Sequence, residues 1–483
     1  MIERHGKVRG VLEGQNGRLF LGDQDGFTIG WFLSRTPFNR PLLEMWKRAL
    51  RRRARELRRR GVPYVFYLAP DAHHMYPEDL PPEILPSGHV VPGEIFLNEM
   101  AELRDITFVS PRADLLAAKG GLEIYRKTDS HWTQYGSFVA YQTLCRALEG
   151  IVPLSEIEAR DITFEYRRSF GDLGVLVEPE RSEETVRAKI ARNDHRRIYD
   201  NEGFDRTACF ETIAPGAAET RAFILRDSFM TDQFDYIGRT FRHVLCAGTT
   251  TSFFLDEVDA WKPHVVITHI GERRLYAYAY EPDHRLETFD DVFRTDYASP
   301  RGRAAQKAML LLRAGRAAEA LPHVEDFEAD PALQPDHAFI AARVLGANEL
   351  NSRAYAVLGA ALHAHPERPS YLALGAKLQL SLGGLPQAAD FAERAVAAAP
   401  YNGYHHETYA YLLLSRGDAA GARTYLDEVL HEIDDYGVLW YQLSLACEAL
   451  GDRLSATDAI IEALLLDSSD ATYRAHAVKL WQS

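Results

Sequence analysis

"RAFILRDSFMTDQF", residues 221–234, sets a short apolar run against an Asp-Ser pair and then the start of an expected helix. Ser228 stands two residues past that run. A serine on a strand–turn–helix junction sits proud of a sheet, and helix N-terminal amides can stabilise an oxyanion beside it. A serine opening a helix is also an ordinary N-cap, so Asp-Ser alone decides nothing. The decision rests on what surrounds it.

"AFILR" (222–226) is one of five short apolar runs rich in β-branched and aromatic residues. The others are "VPYVFYLA" (62–69), "ITFVS" (106–110), "HVLCA" (243–247) and "PHVVITH" (263–269). Helical stretches precede or separate several of them, notably 41–60 and 133–149. Continuous apolar strands alternating with helices imply a parallel sheet covered on both faces, with ligands at the carboxyl ends of the strands. The segments that follow the runs carry titratable groups: "PDAHHMYPEDLP" (70–81), "DSFM" (227–230) and "IGERR" (270–274).

"KTDSHWTQYG" (127–136) supplies partners for the serine. Asp129 and His131, two apart, project to one side if the segment is extended. The carboxylate then orients the ring and leaves the other nitrogen to take a serine proton. Thr133 is expected to cap a helix whose Phe138, Tyr141, Leu144 and Leu148 form an apolar stripe. The serine this pair requires is Ser228.

The order Asp-x-His-Trp, then Asp-Ser-Phe about a hundred residues later, resembles the SGNH-hydrolase-like domain of the alginate O-acetyltransferase group. "VLEGQNGRLFLGDQDG" (11–26), "YLAPDAHHMYPEDLP" (67–81) and "PHVVITHIGERRL" (263–275) extend the resemblance to residues 10–280. The resemblance implies a three-layer α/β/α domain with a parallel sheet and a triad order permuted relative to ordinary SGNH esterases. It implies Ser228 as nucleophile, His131 as base and Asp129 as its orienter, moving acetyl onto a sugar hydroxyl. Two positions depart from the group: His73 and His74 stand where a lysine often follows Pro-Asp, and Arg226 replaces a frequent glycine before Asp-Ser. The sugar is therefore left open. Candidates for substrate contact are Arg226, Trp132, Asp71, His73, His74 and Arg273, with Glu272 and Arg273 expected to form an ion pair bracing the site.

After residue 298 a 34-residue period takes over. Gly315, Gly383, Gly417 and Gly451 share one register, with Glu349 in the fifth place, and five residues beyond each stands Ala320, Ala354, Ala388, Ala422 or Ala456. Twelve beyond come Phe327, Ala361, Ala395, Val429 and Ala463, and Pro366 and Pro400 end two of the units. Small residues let antiparallel helices approach, and proline ends the second helix. The pattern resembles the tetratricopeptide repeat. Two domains are expected, 1–298 and 299–483, the second an all-α solenoid of about five repeats that binds a protein partner or a second copy.

Composition bounds the rest. The 483 residues are 46% apolar and 26% charged with a net charge of −14, which argues against a nucleic-acid binder. Four scattered cysteines fit a reducing compartment. With no secretory h-region or membrane span in view, the expected location is cytoplasmic. "KRALRRRARELRRRG" (47–61) reads as an amphipathic surface helix, with weak contact to a membrane surface through 47–60 as the second reading. No metal is expected, since His73-His74 and His405-His406 lack a ligand motif. No bound cofactor is expected either; acetyl-CoA or another acetyl donor would supply the acyl group, and a glycan or glycoconjugate would accept it. A carbohydrate acetylesterase with the same triad is the rival enzyme. A repeat scaffold with a vestigial SGNH domain is the non-enzymatic rival.

Overall fold

The computed structural model describes residues 10–22, 29–84, 90–177, 179–191, 195–201, 208–250, 252–277, 289, 293, 299–328, 330 and 333–482. The chain divides into two compact units, Met1–Phe253 with Pro263–Glu281 and Phe254–Lys262 with Pro282–Ser483. The expected boundary at 298/299 adjoins residues 294–298, which lie outside the described residues. No helix among the described residues is long and apolar enough to cross a membrane.

In the first unit, β1 (Val11–Glu13) and β2 (Leu19–Leu21) pair as a hairpin. Asn16 and Gly17 turn it with φ of 53° and 75°, the left-handed pair that matches strand twist in a tight hairpin. The main sheet uses β3 (Tyr64–Ala69), β4 (Ile106–Val109), β7 (Arg196–Asp200), β8 (Cys209–Ile213), β9 (Ala218–Arg226), β10 (Phe241–Ala247) and β11 (Val265–Gly271). Their order is β4-β3-β11-β9-β10-β8-β7. The five strands carrying the apolar runs are parallel. The sheet is nevertheless mixed, because β8 pairs antiparallel with β10 and β7 antiparallel with β8. Consecutive β7 and β8 form a hairpin, which needs no crossover helix. A separate long hairpin joins β5 (Ile162–Phe170) to β6 (Ser182–Ile190).

Successive residues of β3 point to opposite layers, as the strand period requires. Phe66 meets Trp46 edge-on, on the helix Arg40–Arg59, while the Tyr67 hydroxyl donates to the Ala140 carbonyl at 2.8 Å, on the helix Gln134–Leu148. The first helix buries Leu42, Trp46, Leu50 and Leu57. Of its arginines, Arg51 and Arg58 pair with Glu102 and Asp105, and Arg59 with Glu56. The arginine-rich run is thus a docked amphipathic helix. In the second helix Phe138, Tyr141, Leu144 and Leu148 all face the core.

Among its described residues the second unit is all helical. Paired helices run Pro335–Ala347 with Asn351–Ala364, Pro369–Ser381 with Leu385–Ala398, Gly403–Ser415 with Ala419–Leu430, and Gly437–Ala449 with Arg453–Leu466; Ala471–Gln482 follows. Ala320, Ala354, Ala388, Ala422 and Ala456 are each fully buried, because the helices cross there. The first pair is irregular. After Pro300–Arg313 its second helix shrinks to Ala317–Ala320 and two 3-10 turns, where Pro322 cannot donate to a helical ladder.

The four register glycines have φ between 71° and 80°, and Glu349 in the fifth place has φ of 62°. A left-handed side-chain residue costs about 1–2 kcal/mol, and glycine's extra unfolded-state entropy returns about 0.5–1 kcal/mol of that. Glu349→Gly is therefore expected to stabilise the solenoid by about 0.5–1 kcal/mol in urea unfolding followed by circular dichroism. A lower midpoint at unchanged m-value would contradict it.

Candidate active site

The Asp129–His131 segment is a tight loop closed at its base. Thr133 N donates to Ile124 O at 2.9 Å and Arg126 N to His131 O at 3.2 Å. Thr133 then caps the helix, its hydroxyl oxygen accepting from Gly136 N at 3.0 Å. Gly136 has no alternative here, since a Cβ would stand 2.0 Å from the Ile124 carbonyl oxygen. The loop's tip hangs on the β5–β6 hairpin. Glu183 accepts from the amides of Lys127 and Thr128 and from the Thr128 hydroxyl. Asp172 accepts from Ser130 N and Oγ, at 2.7 Å each.

This loop faces the turn that carries Ser228. His131 Nδ1 lies 2.8 Å from Asp129 Oδ1, and His131 Nε2 lies 2.8 Å from Ser228 Oγ. A neutral ring donating Nδ1–H to the carboxylate presents its Nε2 lone pair to the hydroxyl. Burial pushes the Asp129 carboxyl up, but the hydrogen bond and charge of His131 and the Arg126 guanidinium outweigh it and hold the group well below the usual carboxylate range. Burial disfavours the His131 cation, yet the bond to Asp129 and its charge raise the imidazole above its ordinary value. The arrangement suits a base that takes a serine proton.

Ser228 opens a 3-10 turn, Ser228–Asp232, and the following helix begins only at Phe234. The expected helix N-terminus at the serine is therefore absent. Asp227 explains the turn: its Oδ1 accepts from Phe229 N at 3.0 Å and its Oδ2 from Gly271 N at 2.6 Å. Gly271 must be glycine-sized, because a Cβ would lie 2.8 Å from the Phe229 ring and 2.9 Å from Asp227 Oδ2.

The structure separates the candidates for substrate contact. Trp132 is fully buried, donating Nε1–H to Phe229 O at 3.0 Å. It backs the site and offers no face to a ligand. His73 and His74 are also buried, with His73 Nε2 against Leu21 O at 2.9 Å and His74 Nδ1 against Glu272 at 3.1 Å. Burial lowers the His73 imidazole to about 3, so it stays neutral. Asp71, likewise buried, is held by Arg273 Nη2 at 2.8 Å and by the Arg273 amide at 2.9 Å. The expected Glu272–Arg273 pair does not form. Glu272 instead accepts from Gly93 N and Asp71 N and faces His74, because adjacent residues at a strand end diverge. Arg273 also donates to Ser130 O at 2.7 Å, with its guanidinium over the Phe229 ring. Arg226, half-buried, lies over Phe210 and reaches the Asp227 carbonyl at 3.4 Å. Of the six, Arg273 and Arg226 stand beside the His131 and Ser228 segments without being fully enclosed.

Asp129, His131 and Asp172 also bring three ligand-type atoms within 4.8 Å of one another. The imidazole nitrogen facing both carboxylates is Nδ1, the one that holds Asp129. A cation there would displace the Asp–His bond. Sequence reasoning missed Arg126, Asp172, Glu183 and Asp227. Asp227 alone had a local signal, an acid immediately before the serine in the cap position.

Residues 11–209 match the family described as "SGNH hydrolase-like domain, acetyltransferase AlgX". The family resemblance stands. The match includes Asp129 and His131 and ends before Ser228, whose place in the site comes from geometry. Among solved structures, the chain is similar to the O-acetyltransferase domain of Pseudomonas putida AlgJ: 16% identity, TM-score 0.41, covering 64% of this chain and 100% of that one. Bacillus cereus PatB1 has 15% identity and a TM-score of 0.44, covering 56% and 97%. A thermophilic TPR protein of Thermus thermophilus has 17% identity and a TM-score of 0.34, covering 38% and 100%. No curated protein matches the sequence.

Proposed function

We propose that the chain transfers an acetyl group to a saccharide hydroxyl through an acyl-serine on Ser228. One observation carries this: Ser228 Oγ, the His131 ring and Asp129 form a hydrogen-bonded line with 2.8 Å at both junctions. The acetyltransferase family matched by residues 11–209 supports the choice of acyl group.

Ser228 Oγ attacks the acetyl carbonyl carbon as its proton passes to His131 Nε2. Asp129 stabilises the imidazolium that forms. The tetrahedral intermediate collapses, the donor's leaving group takes the His131 proton, and the acetyl ester remains on Ser228. A sugar hydroxyl then gives its proton to His131 and attacks that ester. Ser228 Oγ departs and recovers the proton. The Ser228 amide is the proposed oxyanion donor, with an acetyl thioester such as acetyl-CoA or another activated acetyl as donor. The helical repeats would hold a protein partner or a second copy.

Incubating the protein with an acetyl donor, with and without oligosaccharide, tests the assignment. Acetylated oligosaccharide formed faster than free acetate is expected. Free acetate alone, whatever the acceptor, would make the site an esterase.

A further inference from the structure

Arg126 lies one residue ahead of "KTDSHWTQYG", at the base of the loop, with only 12% of its side chain exposed. Its guanidinium reaches carboxylates on two distant parts of the chain. Nη1 donates to Asp129 Oδ2 at 2.9 Å, and Nη2 lies 2.6 Å from both oxygens of Asp232. Asp232 is the last residue of the turn that begins at Ser228. One planar cation thus ties the carboxylate that orients the base to the segment that carries the nucleophile. A guanidinium fork can hold two carboxylates in fixed directions, which an ammonium cannot.

The Asp129 carboxylate is fully used. Oδ1 faces His131 Nδ1 and accepts from His131 N, while Oδ2 takes Arg126 and Asp172 N. Removing Arg126 would leave Asp129 Oδ2 with the Asp172 amide alone and leave Asp129 and Asp232 without the cation between them. The charged groups around His131 are Asp129 and Asp172 at Nδ1 and Arg273 at the Ser130 carbonyl; Arg126 and Asp232 lie behind Asp129, and Arg187 is 4.0 Å from Asp232.

We propose that Arg126 is a positioning residue for acyl transfer, holding Asp129 and Ser228 in register and offsetting the Asp129 charge that His131 feels. This rests on the acyl-serine function proposed above.

The test is kcat and KM for a chromogenic acetyl ester across pH, for wild type, Arg126→Gln and Arg126→Lys, with thermal melts of each. In wild type, kcat/KM rises as His131 loses its proton, with a midpoint above that of a free imidazole. In Arg126→Gln, kcat is expected to fall about 10²-fold, the cost of a small misplacement at a reacting centre, while KM changes little. Its acid limb moves to higher pH, because the uncompensated Asp129 carboxylate holds the imidazolium proton more tightly. Arg126→Lys restores the position of the limb but only part of kcat. Wild-type kcat in Arg126→Gln, or a loss of kcat with the limb unmoved or moved to lower pH, would overturn the proposal. If Arg126→Gln does not fold, wild-type kcat in Arg126→Lys overturns it. Labelling of wild type by a serine-directed fluorophosphonate separates the two failures. Unlabelled Ser228 sinks the acyl-serine reading and this proposal with it, whereas labelled Ser228 with an indifferent Arg126→Gln sinks the positioning role alone.

Discussion

Replacing Ser228 or His131 by alanine is expected to lower turnover of an acetyl ester by about 10⁴–10⁶-fold. Both lie in one hydrogen-bonded line, with 2.8 Å from Ser228 Oγ to His131 Nε2 and 2.8 Å from His131 Nδ1 to Asp129. Groups that act as a unit are not additive, so the double variant should be hardly worse than either single one. Asp129→Asn should cost about 10⁴-fold, because an amide can hold the ring in the wrong tautomer. Asp172 stands 3.5 Å from the same nitrogen, but Ser130 already occupies its carboxylate. Initial rates with a chromogenic acetyl ester measure all four variants. Retention of activity within about tenfold in any single alanine variant would remove that residue from the chemistry.

The second large effect is on stability. Glu272 is a fully buried carboxylate at the carboxyl end of β11, facing His74 and accepting from the amides of Gly93 at 2.6 Å and Asp71 at 3.2 Å. Burial pushes its pKa up, but the His74 charge and hydrogen bond and those two amides outweigh it and hold the carboxyl below its usual value. Glu272→Ala strands a buried histidine and two amides, and removing one partner of a buried pair costs about 3–5 kcal/mol. Because the folded-state value is depressed, this contribution is present above the unfolded pKa and lost as pH falls through the folded one. Urea unfolding of wild type and Glu272→Ala measures it at neutral pH. A difference under about 1 kcal/mol would mean the pair is as weak as a surface ion pair.

The three residues closing β11 explain why the site is placed where it is. The Gly271 amide fixes the Ser228 turn through Asp227, Glu272 fixes the end of β3, and Arg273 joins Asp71 to the Ser130 carbonyl beside His131. The parallel strands were legible because continuous apolar runs have one explanation, burial on both faces. The juxtaposition of Ser228, Asp129 and His131 was legible because acid, imidazole and hydroxyl stand at strand ends or before a helix. The β5–β6 hairpin was not: Ile162, Phe164 and Tyr166 alternate along β5, but most of Ile162–Phe170 is exposed and charged residues interrupt the pattern. Its roles through Glu183 and Asp172 are long-range contacts that local pattern cannot express. Arg126 and Asp232 are 106 residues apart, and nothing near either one names the other. Adjacency in sequence misled once: Glu272 and Arg273 look like a pair, yet each finds a partner near the end of β3. In the repeats the reverse held, because the period itself marks the helix crossings and even Glu349 keeps the left-handed turn of its glycine counterparts.

The central claim is that Ser228 becomes covalently acylated. The direct measurement is peptide mapping by mass spectrometry after brief reaction with an acetyl ester, quenched in acid, for wild type and Ser228→Ala. An acetyl group on the Ser228 peptide of wild type, absent from the variant, is the expected result. An unmodified Ser228 peptide during active turnover, or the same adduct on another residue in both proteins, would contradict it.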